Sequence, residues 1–414
     1  MNRMKFISVL FLLFFFTEVF AQQDLLTIQQ AVSHAIEKNP EINQMRAVLQ
    51  QKENEWRTLT GIEAPEISYF EEGMNSAETK PFEERRLSVS QTIDFPLTTM
   101  YRLKANEKEK QALEYRIKAY ENEVKCTVKR HYVEVLYALY YQKLSENQHR
   151  LAEELYTATY SRFETGMGNG MDLTKAELQH AEAQNQLDDA EQVLHMARYS
   201  LFNAMGLPTD EQKYSIQFMD SLRTTDIDIQ QIQALAQLEE QPLYLSALRE
   251  YEAEQNRVKE ARSNILPDLR FNLYKQNYGD GFNYNGFELG LSIPIWLPFE
   301  QKGKIEMAKA REVEIEWKQK GIELDMKMQI EHAWHSYKTS KSTIERYRQT
   351  IRKKAENLHE LSLKAYRLGE IDLLNLINSQ QIYLSSQKQY LTALRDYYLQ
   401  LVALEKFLDQ ELVY

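Results

Sequence analysis

His332 and His335 stand three residues apart in HAWH, a spacing that on a helix would set two imidazoles on one side as metal ligands. No third ligand follows at a recognisable interval, and the chain's 8 histidines are otherwise scattered. GMGNG at 166–170 has the glycine density of a phosphate loop, but it follows a helical stretch rather than a strand and lacks the lysine of that motif. Cys126 is the single cysteine, so an internal disulfide framework is excluded and a small packing residue is expected. No Ser/His/Asp arrangement with supporting context is present. These residue types therefore offer no catalytic centre, no cofactor-binding site and no metal site, and an enzyme is not expected. A net charge of −11 without a concentrated basic stripe argues against nucleic acid as a partner.

The chemistry that does recur is that of a turn. FETGMGNGMDLTKAELQ (163–179) and YRLGEIDLLNLINSQQI (366–382) each place an aromatic residue before a glycine, then a short polar residue followed by leucine. Gly166 and Gly369 are 203 positions apart, and so are Asp172 and Asn375. The same offset, within one residue, relates Asn39-Pro40 to Gln241-Pro242, Ala64-Pro65 to Leu266-Pro267, and LSVSQTIDFPL from Leu87 to LGLSIPIWLPF from Leu289. The chain reads as a tandem duplication of a unit of roughly 200 residues, far longer than solenoid repeats of about 20–50. Residues 22–217 form the first repeat and residues 218–414 the second.

Ahead of them, residues 1–21 have the form of a secretory signal: Arg3 and Lys5, an apolar run from Phe6 to Phe16, and Val19-Phe20-Ala21 as a cleavage triplet. The alternative, a membrane anchor, is poor on length, since a spanning helix needs about 20 apolar residues.

Only 13 Gly and 9 Pro in 414 residues point to long helices. Residues 99–165 contain neither, which allows a rod of roughly 100 Å. After Asp172, Leu173, Ala176, His180, Ala183, Leu187 and Ala190 follow spacings of three and four, a coiled-coil seam in which alternate alanines admit a close partner helix. Leu376, Ser379, Tyr383 and Ser386 repeat it in the second unit, so His180 is expected to pack.

Each repeat also holds an extended hairpin, at about residues 65–95 and 267–296, with the two-residue period of strands. Leu87 and Val89 alternate with Ser88 and Ser90; Leu269 and Phe271 with Arg270 and Asn272; Leu289 and Leu291 with Glu288 and Ser292. One apolar and one polar face, with Tyr278, Phe282, Tyr284, Trp296 and Phe299 near the ends, fits strands crossing a membrane. A soluble hairpin resting on helices is the other reading. Four strands cannot close a barrel, and lipid leaves no backbone group unpaired, so spanning requires several copies.

LTIQQAVSHAIEKNPEI, the hairpins ending SQTIDFP and LSIPIW, and the two turn stretches together resemble the TolC-type outer-membrane efflux proteins over about residues 25–408. The resemblance implies a mainly α fold with a β-barrel part: long coiled-coil helices plus four transmembrane strands per chain, three chains making a twelve-stranded barrel and a helical tunnel across the periplasm. It implies a homotrimer in outer-membrane lipid, serving as the exit duct of a tripartite pump with a periplasmic adaptor and an inner-membrane transporter. Gly166, Asp172 and Gly369 would then belong to tips that dock the adaptor. Leu87, Val89, Leu269, Phe271, Leu289 and Leu291 would face lipid. Asp172, Lys175, Asn375 and Asn378 would lie at the pore constriction, where the family often carries two aspartates in the second tip; here these are Asn375 and Asn378. Asn375 has a second reading, as a helix N-cap. For the whole chain the rival is a periplasmic coiled-coil scaffold without a pore.

Overall fold

The computed structural model describes residues 25–73, 81–208, 217–218, 235, 237–279, 283–293, 299–408 and 411–413. The signal segment expected at residues 1–21 lies outside them, as do Phe282 and Trp296 of the expected aromatic girdle. The stretch expected as the first repeat contains β1 (Leu25–Leu26), α1 (Ile28–Lys38), α2 (Pro40–Glu55), β2 (Glu66–Glu72), β3 (Glu84–Ile93), α3 (Pro96–Glu164) and α4 (Gly170–Ala204). After β4 (Gln217–Phe218), the second contains α5 (Pro242–Ser263), β5 (Asp268–Asn277), β6 (Asn283–Ser292), α6 (Glu300–Arg346), α7 (Arg352–Arg367) and α8 (Leu373–Glu405).

Local chemistry sets most of these limits. Thr27 opens α1 through a capping box with Gln30, and the side chain of Asn39 accepts from Glu41 N (2.9 Å) and Ile42 N (3.0 Å) to open α2. Pro40, Pro96 and Pro242 occupy first-turn positions, where a missing N–H costs nothing. α2 stops at Glu55 and passes into a short 3₁₀ turn, Trp56–Thr58. α3 runs 69 residues without interruption, roughly 100 Å. Its counterpart is divided: a π-turn at Tyr347–Ile351 separates α6 from α7. Neither glycine nor proline marks that break.

The helices pair as the seam demands. Ala176, Ala183 and Ala190 of α4 are buried against α3, while Asp188 and Asp189 are exposed. Leu376, Ser379, Ser386 and Ala393 of α8 are buried likewise. The other half of α3 lies along α5, tied by Arg102–Glu260 (2.8 Å), Lys108–Glu252 (2.7 Å) and a bond from Ser246 Oγ to Ala112 O (2.8 Å). Where α1, α2, α3, α4, α6 and α8 converge, Ile42, Tyr132, Leu201, Ile330, Leu401 and Leu412 form a fully buried core.

That core contains a charge. Lys129, 2% exposed, pairs with Glu405 and donates to Val413 O (2.9 Å). Glu405 Oε2 in turn accepts from Leu412 N and Val413 N (3.3 Å each). Cys126 packs beside them, its Sγ donating to Val402 O (3.7 Å), and burial pushes its thiol up to about 11, which leaves it unreactive.

The four longer strands make one antiparallel sheet in the order β2-β3-β5-β6. The two hairpins thus meet through β3 and β5, in a register that sets Val89 opposite Leu273 and Ile93 opposite Leu269. β1 and β4 pair in parallel, Leu26 with Phe218, so the boundary expected between the repeats falls inside a strand bonded back to the start of the first.

Candidate functional site

Two regions carry the residues expected to act: the sheet and the helical tips. In an antiparallel sheet directly paired residues share a face, so the register sorts the side chains. Leu269 pairs with Leu291, Phe271 with Leu289, Leu273 with Phe287 and Ile67 with Val89. Together with Leu87 these make one apolar band across all four strands, and it is solvent-exposed: Phe287 68%, Leu289 70%, Leu291 61%. The opposite face holds Ser88, Ser90, Arg270, Asn272, Gln276 and Glu288. Ser68 and Ser88 share a hydrogen bond (2.7 Å), and Gln276, 8% exposed, donates to Glu84 Oε1 (2.6 Å). Gly286 lies opposite Tyr274, whose ring occupies the space a Cβ would need. A soluble sheet buries its apolar face; this one turns it outward.

β2 and β6 are the edges of the sheet, each pairing on one side within the chain. No helix among the described residues is long and apolar enough to cross a membrane.

The tips are built alike. Gly166 (φ +73°) follows α3 and Gly369 (φ +78°) follows α7, both left-handed. At the first, Met167 N donates to Arg162 O (2.9 Å) and Gly166 N to Phe163 O (2.9 Å); at the second, Glu370 N donates to Ala365 O (2.9 Å) and Gly369 N to Tyr366 O (3.0 Å). This is the paired-bond helix stop that a residue without Cβ allows at no strain. The next helix begins with Asn169, whose side chain accepts from Asp172 N (2.8 Å), or with Asp372, which accepts from Asn375 N (2.9 Å). Asn375 is therefore not the cap. It occupies the third helical position, and the cap reading passes to Asp372. The signal was present, since Asn169 and Asp372 are also 203 positions apart and both are cap formers.

Asp172 and Lys175 are half-buried in the first tip, and Asn169 Nδ2 donates to Asp172 Oδ2 (2.9 Å). Asn375 and Asn378 are exposed in the second. A link the sequence did not suggest joins the two hairpins: Arg162 Nη1 donates to the Tyr366 hydroxyl (3.3 Å). Met167, Met171 and Leu368 project at the turns, each more than two-thirds exposed.

Above the tips the seam is aromatic. His180 stacks on Tyr156 at 5.6 Å and 3°, and His359 stacks on Tyr383 at 5.1 Å and 12°. The offset of 203 relates Tyr156 to His359 and His180 to Tyr383, so the repeats keep the pair with its partners exchanged. Burial lowers the pKa of His359, whose Nδ1 has no partner. His332 and His335 are exposed, His335 against Trp334, and no three His, Cys, Asp or Glu side chains gather as metal ligands among the described residues.

Residues 31–207 match the family of outer membrane efflux proteins. The chain is 22% identical to the cobalt-zinc-cadmium resistance protein CzcC of Cupriavidus metallidurans over 75% of its own length and 73% of that protein's. Its fold superposes on the outer membrane protein VceC of Vibrio cholerae with a TM-score of 0.78 and 15% identity, covering 92% of this chain and 95% of that one. For the CmeC outer membrane channel of Campylobacter jejuni the values are 0.77 and 16%, over 92% and 85%. Similarity to the outer membrane efflux proteins thus runs over residues 31–207, and 92% of the chain shares the fold of these outer membrane channels.

Proposed function

We propose that this protein is the outer-membrane exit duct of a tripartite efflux system. Three copies join their four-stranded sheets into a twelve-stranded barrel, and their helices form a tunnel through the periplasm. The observation that carries this reading is the sheet: its apolar face is exposed along all four strands, its polar face is opposite, and both edges await partners. Lipid would accept the first, water the second, and neighbouring copies the edges. A coiled-coil scaffold without a pore gives no reason for any of the three.

The signal segment at residues 1–21 supports export. The similarity to a resistance protein supports outward transport, with energy supplied by an inner-membrane transporter rather than by this chain. The tips around Gly166, Asp172 and Gly369 are the surface for the periplasmic adaptor. Asp172, Lys175, Asn375 and Asn378 stand at the same two helical positions in the two tips, where a ring of three copies would narrow. Two of these four side chains are uncharged amides, one is acidic and one basic, so the constriction works by hydrogen bonding and by the Asp172–Lys175 charges rather than by paired carboxylates.

The test is direct. The chain should partition with outer membranes, run as a trimer in mild detergent, and conduct ions when reconstituted into planar bilayers. Replacing Gly166 or Gly369 by a bulky residue, or Asp172 by Lys, should leave trimers in the membrane but reduce adaptor cross-linking and efflux together. A soluble monomer without conductance would reject the duct.

A further inference from the structure

We propose that the first helical hairpin carries a divalent-cation site made by His149 of α3 and His180 of α4. The two imidazoles meet across the seam with ring centroids 5.0 Å apart and planes tilted by 38°. Two imidazoles on one tetrahedral ion, each bonded at about 2.0–2.1 Å, have centroids roughly 5 Å apart. The His149 ring, which makes no stack like that of His180 on Tyr156, could rotate about its broad χ2 torsion to share an ion with His180.

His180 is held for this. It meets α3 between His149 and Tyr156, two turns apart, and Tyr156 stacks on its face at 3°. Both histidines are half-buried, neither has a hydrogen-bond partner among the described residues, and neither has a buried nitrogen left without one. Glu146, Glu153 and Glu177 lie one helical turn away and supply the negative surroundings a dication needs, while Arg150 is turned toward Asn147 (2.6 Å).

The second repeat is the internal control. Its counterparts are Arg352 and Tyr383, and Arg352 lies over the Tyr390 ring instead. The duplicated scaffold therefore tolerates the loss of both imidazoles, and their joint presence in the first copy is a separate feature. Two nitrogen ligands with water in the remaining positions suit borderline-soft ions such as Zn²⁺, Co²⁺ or Cd²⁺ and give a modest, reversible site. The ion would clip α3 to α4 above the first tip. Nothing in this depends on the exit-duct reading.

The experiment uses the detergent-solubilised full chain without a histidine tag, titrated with Co²⁺ by absorption and with Zn²⁺ by calorimetry. The parent should bind one ion per chain at this site. His149→Ala and His180→Tyr should each weaken binding by roughly tenfold or more, because each removes half of the protein ligands. His180→Tyr imports the residue of the second repeat, so an unchanged melting temperature without metal separates a lost ligand from a lost fold. The double variant His332→Ala/His335→Ala should bind like the parent. A parent that binds no ion, undiminished binding in His180→Tyr, or loss confined to the His332/His335 variant would each overturn the site.

Discussion

Asp372 and Asn169 each satisfy one backbone N–H at the start of a tip helix, and neither is replaced by a neighbour in that role. Asp372→Ala or Asn169→Ala should therefore cost about 1 kcal/mol, read as faster amide exchange in the first turn of the following helix. Asn375→Ala should cost clearly less. If Asn375→Ala were the more damaging variant, the assignment of the cap would be wrong. A second residue-scale expectation concerns acid. Burial holds His359 below its ordinary pKa, so the unfolded chain binds the proton more readily than the folded one. Stability from this group is complete above about pH 6.5 and falls as pH drops toward the folded value. His131 acts in the same sense, through burial and then Arg130, whereas burial raises Glu134 and Glu254, which oppose it at lower pH. His359→Tyr, which copies neither charge nor proton, should flatten the fall in melting temperature between about pH 7 and pH 5. An equal slope in parent and variant would remove His359 as a contributor. At this scale the sequence was legible where type and position both signalled, as at Gly166 and Gly369. It misled at Asn375, where a good cap residue stands three places inside the helix that Asp372 has already opened.

Elements follow from period. The alternating seam of α4 was readable because leucine and alanine recur every three and four residues, and the buried alanines bear it out. Ala183→Leu or Ala190→Leu should overpack the contact with α3 and destabilise by roughly 1–3 kcal/mol, whereas Asp188→Ala and Asp189→Ala should stay near zero. Thermal unfolding in detergent that ranked the two sets together would contradict the seam. In the sheet, Leu289→Arg or Leu291→Arg should impair assembly in the outer membrane, since a lipid-facing arginine near mid-depth costs about 2–4 kcal/mol. Ser90→Asn and Ser292→Asn on the other face should be tolerated; equal yields of trimer from both groups would reverse the facing. The π-turn at Tyr347–Ile351 had no such signature. One extra residue in a turn changes the hydrogen-bond partner without requiring a special side chain, so composition is silent about it.

For the whole molecule, the buried pair Lys129–Glu405 joins the middle of α3 to the end of α8 and to residues 412–413. Removing one partner leaves the other charge desolvated, so Glu405→Leu should cost about 3–5 kcal/mol, and Lys129→Met with Glu405→Leu together should cost less than Glu405→Leu alone. A double variant weaker than the single would exclude that coupling. The adjacency of β3 to β5, like this ion pair, was not readable, because both link residues from different repeats that no local pattern relates.

The sheet order has an arithmetical consequence. With four antiparallel strands, β2 and β6 run in opposite senses, so the free edge of one copy can always take the free edge of the next with alternation preserved. Two copies, three or four would all close without a mismatched seam, because parity is satisfied inside each chain. In the proposed barrel, strand pairing would thus fix the direction in which copies are added, while the wedge angle at which the helical hairpins pack would set their number. Variants that alter this angle at the α3–α4 or α7–α8 seams are accordingly the ones to search for barrels of eight or sixteen strands.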